Sequence, residues 1–260
     1  MRLDKYLAQA QVGMRKIVHT YISAGNVTVN GEKVTKNEIE INEKKDIITC
    51  FGQVVPYSEK LYYMFHKPGG CITARKDIMK LTVLDYFDEV DTTGIFPVGR
   101  LDKDTEGLLF LTNDGHFDQQ LMNPARHVEK TYFFWAYGSI DKAAEKKLQE
   151  GIYLAKEKAI TKPAKFKLAK QGSYSEFKNE MKLYNPPHTK AGYYEQPVVS
   201  GYLTIVEGRK HQVKRMLKAV GCHIVYLKRI AIGEILLDEQ LEKGCYRVLS
   251  EKELQCLMQE

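Results

Sequence analysis

The sequence predicts an α+β protein in two units, a small α+β unit over residues 1–58 and a larger one over residues 59–260. The larger unit is expected to be built on a mixed, largely antiparallel sheet. Three observations lead there. Strand-like and helix-like runs follow one another without the regular βαβ rhythm of a doubly wound sheet. Many of the strand-like runs are short, aromatic or alternating, and are bounded by turn residues. A polar, proline-bearing stretch, Pro56-Tyr57-Ser58-Glu59-Lys60, has the composition of a linker.

Composition sets outer limits. A chain of 260 residues suits one large or two smaller domains, and 43% apolar content supplies a sizeable core. No apolar run approaches the roughly 20 residues needed to span a bilayer. Met1-Arg2-Leu3-Asp4-Lys5 contains no apolar signal core, so a cytoplasmic location is expected. The five cysteines are scattered without C-x-x-C spacing, which argues for reduced thiols and against a metal site or a disulfide framework.

In the first unit, Leu3, Tyr6, Leu7 and Ala10 recur at helical spacing, and Val12-Gly13 breaks the helix. A second helix is expected from Met14 to Ser23, with Ile17, Val18, Tyr21 and Ile22 on its apolar side. Val27-Thr28-Val29 alternates as a strand, Asn30-Gly31 is a strong hairpin signal, and Lys33-Val34 begins the return. Ile47-Ile48 opens another strand.

In the second unit, Leu61 to Phe65 reads as an aromatic strand running into His66-Lys67-Pro68-Gly69-Gly70, a turn that allows close approach of a partner. Thr82 to Phe87 is a short helix, and Leu108 to Leu111 is a buried strand closed by an Asn113-Asp114-Gly115 turn. Helix is expected over 116–122, strand from Lys130 to Tyr137, helix over 140–150, and strand around Phe166 to Leu168. Residues 170–197, polar and aromatic with Pro186-Pro187, read as a hairpin or flexible excursion. Val199 to Val206 is a strand, Gln212 to Val220 a helix ended by Gly221, His223 to Leu227 a strand, and Tyr246 to Leu249 another. A final helix runs from Ser250. Pairing Ser250 with Leu254 gives no complete capping box there, although Glu251 and Glu253 suit the helix start.

Two stretches carry chemistry. From Gly201 to Ile230 there are seven basic residues (Arg209, Lys210, Lys214, Arg215, Lys218, Lys228, Arg229) against the single acid Glu207. That surplus equals the net charge of the whole chain, +6, and is an electrostatic footprint for a polyanion. From Gly99 the chain reads G-R-L-D-K-D-T-E-G, placing Asp102, Asp104 and Glu106 in the segment that leads into a buried strand, where reactive groups are well held.

These motifs resemble known families. R-L-D-K-Y-L-A-x-A from Arg2, with G-x-V-x-V-N-G-x-x-V from Gly25, is similar to the S-four-type RNA-binding domain of small-subunit ribosomal protein four. That resemblance implies RNA contacts at Arg2, Lys5, Arg15 and Lys16. This unit carries nine Lys/Arg against seven Asp/Glu through Lys60, so binding must rely on one face and not on bulk charge. K-P-G-G at 67–70, G-R-L-D-K-D-T-E-G at 99–107, K-T-Y at 130–132 and E-G-R-K-H-Q-V-K-R-M at 207–216 together resemble the RsuA-type ribosomal RNA pseudouridine synthases.

The second resemblance implies a pseudouridine synthase fold and a uridine-to-pseudouridine isomerisation after base flipping, with no cofactor and no metal. It assigns Asp102 as the essential aspartate acting at the anomeric carbon, Tyr132 as the ring beside the flipped base and Lys214 as the basic partner of the aspartate. Leu227 becomes the apolar wall of the base pocket, and Arg100, Arg209 and Arg215 become RNA contacts. N-P-A-R-H-V-E-K-T-Y and T-K-P-A point to the small-subunit branch, so 16S-type RNA in an assembling small subunit is the expected partner, bound by a monomer. Three alternatives use the same residues: a large-subunit (23S) enzyme, a non-catalytic ribosome-assembly factor, and a metal-dependent nuclease built on Asp102, Asp104 and Glu106.

Overall fold

The computed structural model describes residues 1–10, 12–56, 60–154, 157, 159–182 and 195–258. Among them the expected α+β mixture is present. The proposed division between residues 58 and 59 falls outside the described residues, as does most of the linker.

Helices α1 (Leu3–Gln9) and α2 (Arg15–Ser23) pack through Leu3, Tyr6 and Leu7 against Val18 and Ile22. Ile17 lies about 100° round the helix from Val18 and stays 38% exposed. Strands β1 (Val27–Val29) and β2 (Glu32–Val34) form the expected hairpin. Asn30 and Gly31 both take positive φ, 52° and 86°, as the tight turn requires. Strand β3 (Ile48–Cys50) pairs antiparallel with β1, and β4 (Gln53–Val54) returns along β3 in a second hairpin that local pattern did not predict.

Asp4 holds this unit's charges together. Its carboxylate is fully buried and accepts from Arg2 Nε (3.1 Å) and Arg15 Nη2 (2.9 Å), and it lies 2.9 Å from His19 Nε2. Burial alone would raise its pKa. The bonds from His19, Arg2 and Arg15 outweigh that and bring it down to about 2.

The larger unit begins with β5 (Tyr62–Lys67), a 3₁₀ turn (Val83–Tyr86), β6 (Phe96–Pro97) and β7 (Glu106–Thr112). It continues through α3 (Gly115–Met122), β8 (Lys130–Tyr137), α4 (Lys142–Glu150), β9 (Lys165–Ser173), α5 (Tyr174–Lys182) and β10 (Pro197–Ile205). It closes with α6 (Gln212–Ala219), β11 (His223–Ile232), β12 (Ile235–Leu236), β13 (Tyr246–Val248) and α7 (Glu251–Met258). The sheet order is β13-β5-β7-β11-β8-β10-β9, with β6 on β7 and β12 on β11. Every pairing is antiparallel except β7 with β11, which is parallel.

Both faces of the sheet centre are covered, so the Leu108–Leu111 run is apolar throughout and does not alternate. Leu109 and Leu111 face a core with Val213, Met216 and Leu217 of α6. Leu108 and Phe110 face the opposite core with Phe117 and Leu121 of α3 and Leu257 of α7. Among the described residues no helix is long and apolar enough to cross a membrane.

Three expectations are corrected. The described part of 170–197 is not a loose excursion: β9 runs to Ser173 and α5 follows directly. Tyr174, Phe177 and Met181 fall on one helical face and pack with Trp135, Val198 and Tyr226, a stripe hidden in an otherwise polar run. Residues 183–194, including Pro186-Pro187, lie outside the described residues. Asn113-Asp114-Gly115 is not a closing turn but the start of α3, where the buried Asp114 carboxylate accepts from His116 N at 2.9 Å. Ser250 does head a complete capping box, because the third helical position is Glu253. Glu253 Oε2 accepts from Ser250 N (2.8 Å) and Ser250 Oγ accepts from Glu253 N (3.3 Å).

The Asp4 cluster gives a pH prediction. A carboxylate whose folded pKa lies near 2 contributes stability that is complete above its ordinary value, about 3.9, and is lost as pH falls towards 2. Asp4→Asn is expected to lower unfolding free energy by about 1–2 kcal/mol at pH 7. Denaturant titrations at pH 7 and near pH 2 check this, and the two proteins should converge at the lower pH.

Candidate active site

Asp102 lies on the loop between β6 and β7, and the loop is clamped from both sides. Thr73 Oγ1 donates to Leu101 O (2.8 Å) and accepts from Leu101 N (3.1 Å). On the other side Gly70 N donates to Lys103 O (2.8 Å). Beneath the loop the fully buried Lys67 ammonium donates to Pro68 O (3.0 Å), Lys103 O (3.2 Å) and Thr105 O (2.9 Å). The Lys-Pro-Gly-Gly turn therefore approaches its own chain and braces the aspartate loop. Burial lowers the Lys67 pKa below the usual lysine value, and its three donors are matched by three carbonyls.

Strand pairing brings the other groups to this loop. Gly107 (φ +104°) starts β7 beside Arg229, and a Cβ there would stand 2.1 Å from Arg229 O. Only glycine allows β11 to run so close to β7. Tyr132 on β8 is paired directly with Arg229 on β11, and Leu227 lies two residues earlier on the same strand. Tyr132 and Leu227 are both buried. Lys214 projects from α6, with Nζ 2.5 Å from Asp104 Oδ1 and 3.5 Å from Asp102 Oδ2. Asp102, Tyr132, Lys214 and Leu227, the four groups expected at the centre of the site, thus line one cleft of about 710 Å³, together with Arg100 and Arg209.

Lys214 is shared. Its shorter contact is with Asp104, whose side chain is 74% exposed, while Asp102 is 28% exposed. Partial desolvation would raise the Asp104 pKa, but the hydrogen bond and charge of Lys214 hold it below the ordinary value. Glu106 turns elsewhere and meets Tyr226 Oη and Lys243 Nζ, each at 2.8 Å. The three acids of the loop therefore do not converge, and among the described residues no group of three or more His, Cys, Asp or Glu is arranged to hold a metal ion.

Four of the five arginines expected to bind RNA, Arg2, Arg15, Arg209 and Arg215, are engaged within the chain, while Arg100 is exposed at the cleft. Arg209 donates to Glu157 Oε2 (2.7 Å), Glu207 Oε2 (3.2 Å), Ala159 O (2.8 Å) and Ile160 O (2.6 Å). Arg215 pairs with the other oxygen of Glu157. Both fix the turn into α6. Gln212 fastens the same turn, accepting from Arg209 N (2.9 Å) and donating to Glu207 Oε1 (2.7 Å), which also accepts from Lys162 N of the T-K-P-A segment (3.0 Å). In the first unit Arg2 and Arg15 sit on Asp4, Lys16 is exposed and Lys5 is half-buried.

Sequence reasoning passed over His211 and the bracing role of Lys67. His211 caps α6 in the left-handed region (φ 52°), and its Nε2 stands 3.6 Å from Asp102 Oδ1. Its place within G-R-K-H-Q was the available signal. The Lys67 signal was weaker, since nothing local tells a buried lysine from a surface one.

Residues 61–219 match the RNA pseudouridylate synthase family over more than half the chain. The chain belongs to that family. Residues 1–47 match the S4 domain. An uncharacterized RNA pseudouridine synthase of Bacillus subtilis is 38% identical, with 99% of this chain and 98% of the relative covered. The ribosomal small subunit pseudouridine synthase A of Escherichia coli is 34% identical, with 98% of each chain covered. A crystal structure described as a pseudouridylate synthase superposes with a TM-score of 0.64 at 33% identity, covering 99% of this chain and all of the other. The protein is accordingly an RNA pseudouridine synthase, an isomerase.

A buried lysine bracing a loop can be tested apart from the chemistry. Lys67→Met leaves three inward-facing carbonyls without their donor. It is expected to cost about 2–4 kcal/mol of stability and to lower kcat at least about tenfold, with RNA affinity within about threefold of the parent. Thermal melts, single-turnover rates and RNA-binding titrations check the three parts separately.

Proposed function

We propose that this enzyme converts a specific uridine of small-subunit ribosomal RNA to pseudouridine, with Asp102 as the group acting at the anomeric carbon. The observation that carries the reading is the convergence of Asp102, Tyr132, Lys214 and Leu227 in one cleft. The choice of RNA is supported by relatives named ribosomal small subunit pseudouridine synthase A in Haemophilus influenzae and Escherichia coli, each 34% identical along nearly the whole of both chains.

The chemistry follows from the residues. A uridine flipped from its stack enters between the Tyr132 ring and Leu227. The Asp102 carboxylate meets C1′ as the C1′–N1 bond breaks, either bonding to it or balancing the positive charge that develops there. Lys214 stands 3.5 Å from one oxygen of the carboxylate and helps aim it, and His211 borders the other at 3.6 Å. The base then turns, C5 bonds to C1′, Asp102 is released, the C5 proton is lost and N1 gains a proton. Atoms and electrons balance without water or a redox partner, so no cofactor or catalytic metal is required.

Target selection is assigned to the first unit, with Arg2, Lys5, Arg15 and Lys16 facing RNA, and to Arg100, Arg209 and Arg215 at the cleft. The shared Asp4 counter-ion orders Arg2 and Arg15 before RNA arrives. The enzyme acts as a monomer in the cytoplasm, on RNA of an assembling small subunit whose target base is unpaired.

Asp102→Asn is expected to reduce isomerisation at least about 1,000-fold while RNA affinity stays within about threefold. Single-turnover assays on small-subunit RNA check this, and full activity would remove Asp102 from its role. Pseudouridine mapping of both ribosomal RNAs, with and without the gene, is expected to show one lost site in the small-subunit RNA. Loss in the large-subunit RNA would reassign the target.

A further inference from the structure

The cleft has a floor that the chemistry above leaves unused. Arg229 is only 2% exposed and lines the same cleft as Asp102. Its Nε donates to Leu108 O at 2.7 Å, while its Nη2 has no hydrogen-bond partner. Lys130 is 8% exposed, also lines the cleft, and donates only to backbone, Val128 O (3.0 Å) and Leu121 O (3.4 Å). Among the described residues neither cation is paired with a carboxylate. Burial, and then the nearby charge of Arg229, push the Lys130 ammonium down to about 8.

Two buried cations of like sign are costly to hold. A chain that could have used leucine at either position keeps both next to its reactive aspartate. Their placement says what they face. Arg229 pairs across strands with Tyr132 and is two residues beyond Leu227, and Lys130 is two residues before Tyr132. Side chains two apart on a strand share a face. Arg229 therefore shares a sheet face with Leu227 and stands beside Tyr132, and all three line the same cleft.

We propose that Arg229 is a catalytic residue that binds the uracil carbonyl edge and stabilises the uracil anion formed when the C1′–N1 bond breaks. The inference rests on the pseudouridine synthase reading and adds the leaving-group half of the reaction. As C1′–N1 breaks, the bonding pair stays on N1 and spreads to O2 and O4, while Asp102 meets the positive charge at C1′. Two opposite charges develop, and the cleft presents a carboxylate to one and a guanidinium to the other. Arginine suits the task because it stays protonated throughout and takes no part in proton transfer. Lys130, lying behind it, adds to the same positive field.

The test compares two leaving groups. Small-subunit ribosomal RNA is transcribed with uridine or with 5-fluorouridine, whose base departs more readily as an anion. Because C5 of 5-fluorouridine carries fluorine and has no proton to lose, loss of the C1′–N1 bond in a single turnover is followed for both substrates, for the parent enzyme, Arg229→Gln and Arg229→Lys, together with RNA affinity and thermal melting. Arg229→Gln is expected to slow the uridine reaction about 100-fold, with RNA affinity within about threefold, and the 5-fluorouridine reaction about tenfold or less. Arg229→Lys should fall between the parent and Arg229→Gln, and it carries the same comparison if the glutamine variant does not fold. Equal slowing of both substrates would assign Arg229 a structural role and overturn the proposal, as would a uridine rate within about threefold of the parent. A parent enzyme that binds this RNA but converts no uridine would overturn the small-subunit reading and the proposal with it, a failure separate from the variant results.

Discussion

The larger unit depends on one close approach of backbone to backbone, that of Gly107 to Arg229. Among the described strands of this sheet the pairing of β7 with β11 is the only parallel one, and it is made where a side chain cannot fit. It places the start of β7, and so the loop carrying Asp102, against the strand that carries Leu227. On the far side of β11, β8 delivers Tyr132. The helix that precedes β11 in sequence, α6, returns Lys214 and His211 to the same opening. A cleft assembled this way draws each functional group from a different element, yet every one of them lies within one strand of the same contact.

Several of this protein's cations are turned inward or held by acids of the same chain. The basic surplus between Gly201 and Ile230 suggested a surface for a polyanion, but the structure uses much of it internally. Arg209 and Arg215 clasp Glu157, Lys214 faces the two aspartates, and Arg229 is buried. Lys228 is also partly withdrawn, and burial lowers its pKa. The same habit appears in the first unit, where two arginines share the buried Asp4. Net charge alone does not distinguish a cation facing solvent from one closing a turn.

Where local chemistry decides the outcome, sequence and structure agree. The Asn30-Gly31 hairpin, the apolar run of β7 and the helix carrying Lys214 were all legible, because turn residues and periodicity act over a few positions. The convergence of Asp102, Tyr132, Lys214 and Leu227 was legible only through resemblance to a family, since 125 positions separate the first from the last and no spacing rule spans them. Helix α5 was missed because three apolar residues were masked by a polar run. The cap of α7 was missed by pairing Ser250 with Leu254 and not Glu253. The bracing by Lys67 and the place of His211 depend on segments brought together only by the finished sheet.

The clamp around the Asp102 loop has a consequence for how work is divided between enzyme and RNA. Thr73, Gly70 and Lys67 fasten the backbone of Leu101, Lys103 and Thr105 on both sides of the aspartate, so the loop has little freedom left to adapt. A stiff receptor leaves the deformation to its partner. In the proposed reaction the nucleotide leaves its stack and comes to the carboxylate, and the cost of that movement falls chiefly on the RNA. Selection among uridines then becomes partly a measurement of how loosely each base is held.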